Sequence, residues 1–324
     1  MGETSNIAAI AEIVSAKLFS HFGWERVGSQ NINWECVDSD HKEKTHPADA
    51  VYQYDEPYEN ITTYILCDFK SYAKESITSR KIKDALISLN RAVSCAKKSP
   101  DWYEKFCATT KNYTIKGMLF IWNHDGDFDS DFGSILKDAT KNIKIDKGNV
   151  ICVLGPDRLK YLCNVTQNIT QLRGDESLPA KNRCGFFYPE LAKKRLLSSP
   201  SRLPLTIESM SSSYQIMRYE GDDGKIEGFD IYSSDTGESK EYFMHLFDYM
   251  RHNNLLQENK KIRIFMPFAD REAHSRMRNA RVQYASDVDE DEKEKLKNSI
   301  SYKHIPNIMT SFYPHEIGAR DNHE

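Results

Sequence analysis

The sequence predicts an α/β protein: an α-β-β-β-α-β core followed by a second, smaller α+β domain. Three observations lead there. Apolar runs of strand length alternate with segments of helical period. A Ser- and Pro-rich stretch interrupts that alternation after residue 176. The 324 residues, 39% hydrophobic and 28% charged, suit two soluble domains of ordinary size.

Residues 5–22, SNIAAIAEIVSAKLFSHF, read as a helix capped by Ser5 or Asn6 and apolar on most faces, which places it against a sheet. NINWECV and DAVYQYD read as strands separated by Pro- and Asp-rich turns, and TTYILCDFKSY, residues 62–72, as a third. In SRKIKDALISLNRAVSCAKKS, the residues Ile82, Ala85, Leu86, Leu89 and Val93 share one face of a helix. YTIKGMLFIWNH and NVICVLG supply two more strands, with a helix expected from Pro156. The loosened pattern places a domain boundary near residue 185, giving domains over 1–185 and 186–324. In the second, SYQIMRYE and KIEGFDIYSS flank Gly221-Asp222-Asp223-Gly224 as a hairpin. A helix over 240–254, the strand KIRIFMPF and a helix from Arg271 to Ala285 follow, and the acidic run DVDEDEKEKLK reads as a solvated helix or loop.

Several functional classes are set aside on the same grounds. No run is long enough to span a bilayer, and the N-terminus lacks the basic and small-residue marks of a secretory signal, so a cytoplasmic location is expected. Seven cysteines without a CxxC pair, lying mostly in apolar stretches, read as reduced core residues. A Ser or Cys hydrolase lacks its G-x-S-x-G, and a nucleotide-binding fold lacks its Gly-rich turn. HDGDFDSDFG resembles the start of a calcium loop, but position twelve from Asp125 is Leu136, so a loop with an aspartate capping the next helix is the cheaper reading. His124, at a strand end, is either a neighbour of the site described next or structural.

The 62–72 strand poses the functional question. Its side chains alternate, putting Tyr64, Leu66, Asp68 and Lys70 on one face and Thr63, Ile65, Cys67 and Phe69 on the other. Both faces are largely apolar, so the strand is central, and charges at its end need a partner or a cation. A buried salt bridge is the plain alternative. Asp/Glu-x-Lys by itself carries little, since it recurs at Asp223-Gly-Lys225 and Glu258-Asn-Lys260 among other places, but only at Asp68 does it end an apolar strand. One strand earlier, Pro47-Ala48-Asp49 brings a second carboxylate that antiparallel pairing could set beside Asp68. Two carboxylates and a lysine make a site for Mg²⁺ or Mn²⁺, with the lysine orienting or helping to deprotonate an attacking water.

Pro47-x-Asp49 followed by Asp68-Phe69-Lys70, within an α-β-β-β-α-β order over roughly residues 5–165, resembles the PD-(D/E)xK, restriction-endonuclease-like nuclease superfamily. The resemblance implies that Asp49, Asp68 and Lys70 are catalytic and that Asp49, Asp68 and the Phe69 carbonyl hold the metal. It departs in that Ala48 separates the proline from the aspartate. The superfamily often adds a first-helix glutamate; Glu12, on a second apolar face of the first helix, fits, though it could instead pair with a surface lysine. A nuclease core joined to an unrelated second domain also resembles bacterial restriction and antiphage effector nucleases. The expected activity is Mg²⁺-dependent hydrolysis of DNA, with RNA the less favoured substrate, by a homo-oligomer whose C-terminal domain could take a protein partner or activator. The competing expectation is a non-catalytic interaction module that kept the fold.

A net charge of −4 means that nucleic acid must be held by a local patch. The best is the basic stripe Arg271, His274, Arg278 and Arg281, opposite the apolar stripe Ala273, Met277, Ala280 and Tyr284, with Lys260 and Arg263 nearby. The acidic run that follows could mask it. Lys74, Lys81 and Lys83 could hold phosphates, or form an ordinary solvated helix face.

Overall fold

The structure is a computed structural model and describes residues 2–305 apart from 42, 108–111, 190–201, 258 and 287. Its elements, in chain order, are α1 (Gly2–His21), β1 (Glu25–Val27), β2 (Ile32–Glu35), β3 (Thr45–Ala48), β4 (Ala50–Asp55), β5 (Thr62–Tyr72), α2 (Ser79–Ala96), β6 (Tyr113–Asn123), α3 (Phe132–Thr140), β7 (Ile151–Leu154) and α4 (Pro156–Gly174). Then come β8 (Cys184–Phe186), β9 (Tyr214–Glu220), β10 (Ile226–Ser233), α5 (Lys240–His252), β11 (Lys261–Met266), α6 (Ala273–Ser286), α7 (Glu290–Ser299) and β12 (Ile300–His304). No helix among the described residues is long and apolar enough to cross a membrane.

The chain forms two compact units that part within α4, between Cys163 and Asn164, earlier than the expected boundary near residue 185; Thr206–Glu208 returns to the first. The boundary is hard to read because α4 is continuous across it, whereas the Ser- and Pro-rich stretch taken for a linker lies partly outside the described residues.

In the first unit the sheet order is β1-β4-β5-β6-β7. β4 runs antiparallel to β5, while β6 and β7 run parallel to it in succession. The apolar faces of β5 follow from its central place. Tyr64 and Leu66 pack in a cluster with Leu86, Leu89 and Val93 of α2, and Phe19 of α1 packs edge-on against Tyr52 and Phe120 on the strands either side of it. Each such fully buried side chain stabilises the fold by about 2 kcal/mol. Helix α2 begins where Thr78 accepts the Lys81 N–H (3.4 Å), and its buried face is the expected Ile82, Ala85, Leu86, Leu89 and Val93. It lies so close to β6 that a Cβ on Gly117 would stand 3.0 Å from Val93 Cγ2, which is why a strand interior carries glycine there.

Two features depart from the sequence reading. NINWECV does not join the main sheet; β2 pairs with β3 in a separate two-stranded sheet, Trp34 opposite His46. The strand expected as DAVYQYD forms β4, while Thr45–Ala48, read as part of a turn, is the further strand β3; the chain bends between them at Asp49.

The second unit is a five-stranded mixed sheet, order β12-β11-β10-β9-β8, as the expected hairpin and strand require. Phe243, Leu246, Phe247 and Met250 of α5 share its core with Met277, Ala280 and Tyr284 of α6. Asp230 and Arg263, opposite each other on β10 and β11, form a bidentate pair (2.6 and 2.7 Å) in that sheet. Burial pushes the Asp230 carboxyl up to about 6, against the pull of Arg263.

Candidate active site

The site arises where the β4–β5 ladder stops. Antiparallel pairing runs from Asp55 opposite Thr62 to Ala50 opposite Cys67, and then the chain bends at Asp49 toward β3. Strand β5 continues alone on that side, which leaves the Phe69 N–H without a ladder acceptor. The Asp49 carboxylate takes its place: Oδ2 accepts the Phe69 N–H at 2.6 Å. The Asp49 carbonyl in turn accepts the Asn31 N–H at 3.1 Å, which holds the bend. A carboxylate is thus used where a strand would offer a carbonyl, and the same side chain also meets the Asp68 carboxylate.

That placement sets Asp49 beside Asp68, through the Phe69 N–H bond and not through the ladder that the sequence suggested could do so. Burial, and then the neighbouring Asp68 carboxylate, raise the pKa of Asp49 above the ordinary aspartate value, while the Phe69 N–H and Lys70 pull the other way. Lys70 reaches back along its own strand, and its Nζ donates to Asp68 Oδ1. Burial works against the ammonium, but the charges of Asp68 and Asp49 outweigh it and hold its pKa above the ordinary lysine value. In this arrangement Lys70 is able to donate hydrogen bonds and offset negative charge.

Glu12 comes from α1. Its Oε1 is buried and has no hydrogen-bond partner, and burial together with the field of Asp49 raises its pKa, with Arg26 opposing. No surface lysine takes this oxygen. A buried carboxylate oxygen without a donor, within the field of Asp49, is the kind of donor that a hard divalent cation satisfies. Of Phe69 the visible contribution is its N–H, with its ring edge-on to Phe120 (5.5 Å). The structure thus brings together Asp49, Asp68, Phe69 and Lys70, with Glu12 near enough to sense Asp49.

The other cations are more committed than the sequence implies. Lys74 pairs with Asp129 (2.8 Å), and Lys81 lies over the Tyr72 ring at 5.1 Å. The acidic loop after β6 is structural: Asp131 caps α3 by accepting the Gly133 N–H (2.9 Å), and Asp125 accepts the Lys74 N–H (2.8 Å). His124 Nδ1 lies 3.3 Å from Ser71 Oγ. In the second unit α6 buries Ala273, Met277, Ala280 and Tyr284 as expected. Of its basic stripe, Arg271 and Arg278 are exposed, His274 stacks on Tyr302, and Arg281 donates to the Lys297 and Ile300 carbonyls at the end of α7 (both 3.5 Å). Lys260 and Arg263 do not extend the patch, because the first donates to the Ile226 carbonyl and the second is neutralised by Asp230.

One grouping escaped the sequence reading. Cys36, His41, His46 and Cys95 converge where the β2–β3 hairpin meets α2. The signal was present as Cys36-x4-His41-x4-His46, but the fourth member is distant in sequence and sits in a helix that reads as ordinary core.

Residues 1–158 match the family described as the GAPS4 protein PD-(D/E)XK nuclease domain. No curated protein and no solved structure matches the chain.

Proposed function

The N-terminal part of the chain is a nuclease domain of the PD-(D/E)xK superfamily, and from that premise we propose that it hydrolyses phosphodiester bonds, of DNA in the first place, with Mg²⁺ or Mn²⁺ held by Asp49 and Asp68. The observation that carries the reading is the displaced ladder: Asp49 replaces a strand carbonyl at the Phe69 N–H and so comes to lie against Asp68. Burying two like charges together costs free energy that a structural role does not explain.

Asp49 and Asp68 would hold the cation, with Glu12 and the Phe69 carbonyl completing the set. The bound ion supplies Lewis acidity toward a phosphate oxygen and an attacking water. The residues do the rest. The Phe69 N–H fixes the Asp49 carboxylate by a charge-assisted bond and so holds it against Asp68. Lys70, paired with Asp68, would donate to the attacking water or the phosphate and offset the negative charge that develops there.

The net charge of −4 favours delivery of nucleic acid by a local patch, by assembly of copies or by a partner. We assign Arg271 and Arg278 to phosphate contact and His274 and Arg281 to the borders of that face. The second unit is the place for a protein partner or activating signal, and a role as an effector in antiphage defence fits a nuclease joined to a separate sensor. The test is a panel of DNA and RNA substrates with Mg²⁺ or Mn²⁺. Wild type cuts, and Asp68→Ala and Lys70→Ala do not, with folding retained by circular dichroism. Normal cutting by both variants refutes the site. Failure of the wild type to cut any substrate or to take up either ion supports a non-catalytic module instead.

A further inference from the structure

Four side chains outside the carboxylate site come from three pieces of the first unit. Cys36 follows β2, His41 lies in the loop to β3, His46 is in β3, and Cys95 is in the last turn of α2. Their ligand atoms all lie within 4.8 Å of one another. Cys36 Sγ is 3.6 Å from Cys95 Sγ, and His41 Nδ1 is 3.5 Å from Cys36 Sγ and 3.2 Å from Cys95 Sγ. A tetrahedral zinc with bonds of about 2.3 Å to sulfur and 2.0 Å to nitrogen sets S···S near about 3.8 Å and S···N near about 3.5 Å. The three spacings among Cys36, His41 and Cys95 are close to those values, and His46 lies within 4.8 Å of each.

His46 supplies the independent observation. Its side chain is 1% exposed, and its Nε2 is buried with no hydrogen-bond partner. Its Nδ1 faces Glu43 Oε2 at 3.6 Å, and a carboxylate there keeps the proton on Nδ1 and leaves the Nε2 lone pair free. Trp34 packs on the ring at 4.9 Å and fixes its plane. Cys36 and Cys95 are both free thiols.

We propose that Cys36, His41, His46 and Cys95 form a tetrahedral Zn²⁺ site that fastens the β2–β3 hairpin to helix α2. Two sulfurs and two imidazole nitrogens select zinc over the hard cations of the carboxylate site. Binding releases the two thiol protons to solvent, so that thiolates hold the ion. All four positions are filled by protein, which makes the site structural. Its consequence for the carboxylate site is positional: His46 lies three residues before Asp49 on the strand whose bend creates that site.

The test is metal content of the full chain purified without chelators. Roughly one zinc per chain is expected, and close to none in Cys36→Ser/Cys95→Ser. Since that variant could misfold, Glu43→Gln, an exposed change, provides the second reading: competition with a chromophoric chelator should show zinc held about 10- to 100-fold more weakly. Cobalt in place of zinc should give the thiolate charge-transfer and intense visible bands of a tetrahedral site. Asp49→Asn should keep its zinc, which separates this site from the nuclease reading. Wild type without zinc and without the cobalt spectrum overturns the proposal, as does a Cys36–Cys95 disulfide found by peptide mapping of protein purified under reducing conditions.

Discussion

Replacing Asp49 by Asn should stabilise the metal-free protein while abolishing cleavage. Asparagine keeps an oxygen to accept the Phe69 N–H, now bonded at 2.6 Å, and offers Asp68 an amide donor where it now meets a like charge. Like charges at a separation of about 4 Å repel by about 4 kcal/mol at an effective dielectric of 20, and Lys70 offsets part of the repulsion between Asp49 and Asp68. Exchange of a charge-assisted hydrogen bond for a neutral one costs about 1 kcal/mol. The balance is a gain of about 1 kcal/mol, or a melting temperature about 3 °C higher for a unit of this size. Loss of the charge that holds the cation should slow cleavage about 10³-fold, equivalent to about 4 kcal/mol of transition-state stabilisation. The assays are thermal unfolding in EDTA and single-turnover cleavage with Mg²⁺ or Mn²⁺. A destabilised variant that still cuts would refute the reasoning, because Asp49 would then be a structural acid.

In the second unit, Arg263→Ala leaves Asp230 fully buried without a counter-charge and should cost about 3–5 kcal/mol in urea unfolding, whereas Asp230→Leu/Arg263→Leu should recover most of that; equal losses would contradict the pair's role. Alkaline pH should destabilise the fold through buried phenols. Burial raises Tyr52 and Tyr219 to about 12, so the stability they contribute is complete below about pH 10 and falls as pH rises toward 12, by about 3 kcal/mol each. Difference titrations of wild type against Tyr52→Phe and Tyr219→Phe that place either phenol near the ordinary tyrosine pKa of about 10 with the fold intact would refute this.

The core was legible because β5 and α2 carry their periods openly. Tyr64 and Leu66 on one face of β5, and Ile82 to Val93 on one face of α2, specify a central strand under a helix. Asp68 and Lys70 stood out because ionised groups end an apolar run, and Asp49 because antiparallel pairing needs only short-range register. The bend at Asp49 was hidden, since a ladder that stops one residue early leaves no mark in composition. The Cys/His cluster was hidden for another reason: Cys95 shares α2 with Ala92 and Ala96, and a buried cysteine there has the pattern of core. The unit boundary inside α4 was masked by unbroken helical sequence, and the role of Arg263 by a partner on the adjacent strand.

The most direct test of the central claim is an anomalous diffraction map from crystals grown with Mn²⁺. The account predicts a manganese peak between the Asp49 and Asp68 carboxylates, on the side open to Glu12. A map without density there, or with Mn²⁺ bound only away from both acids, would contradict it.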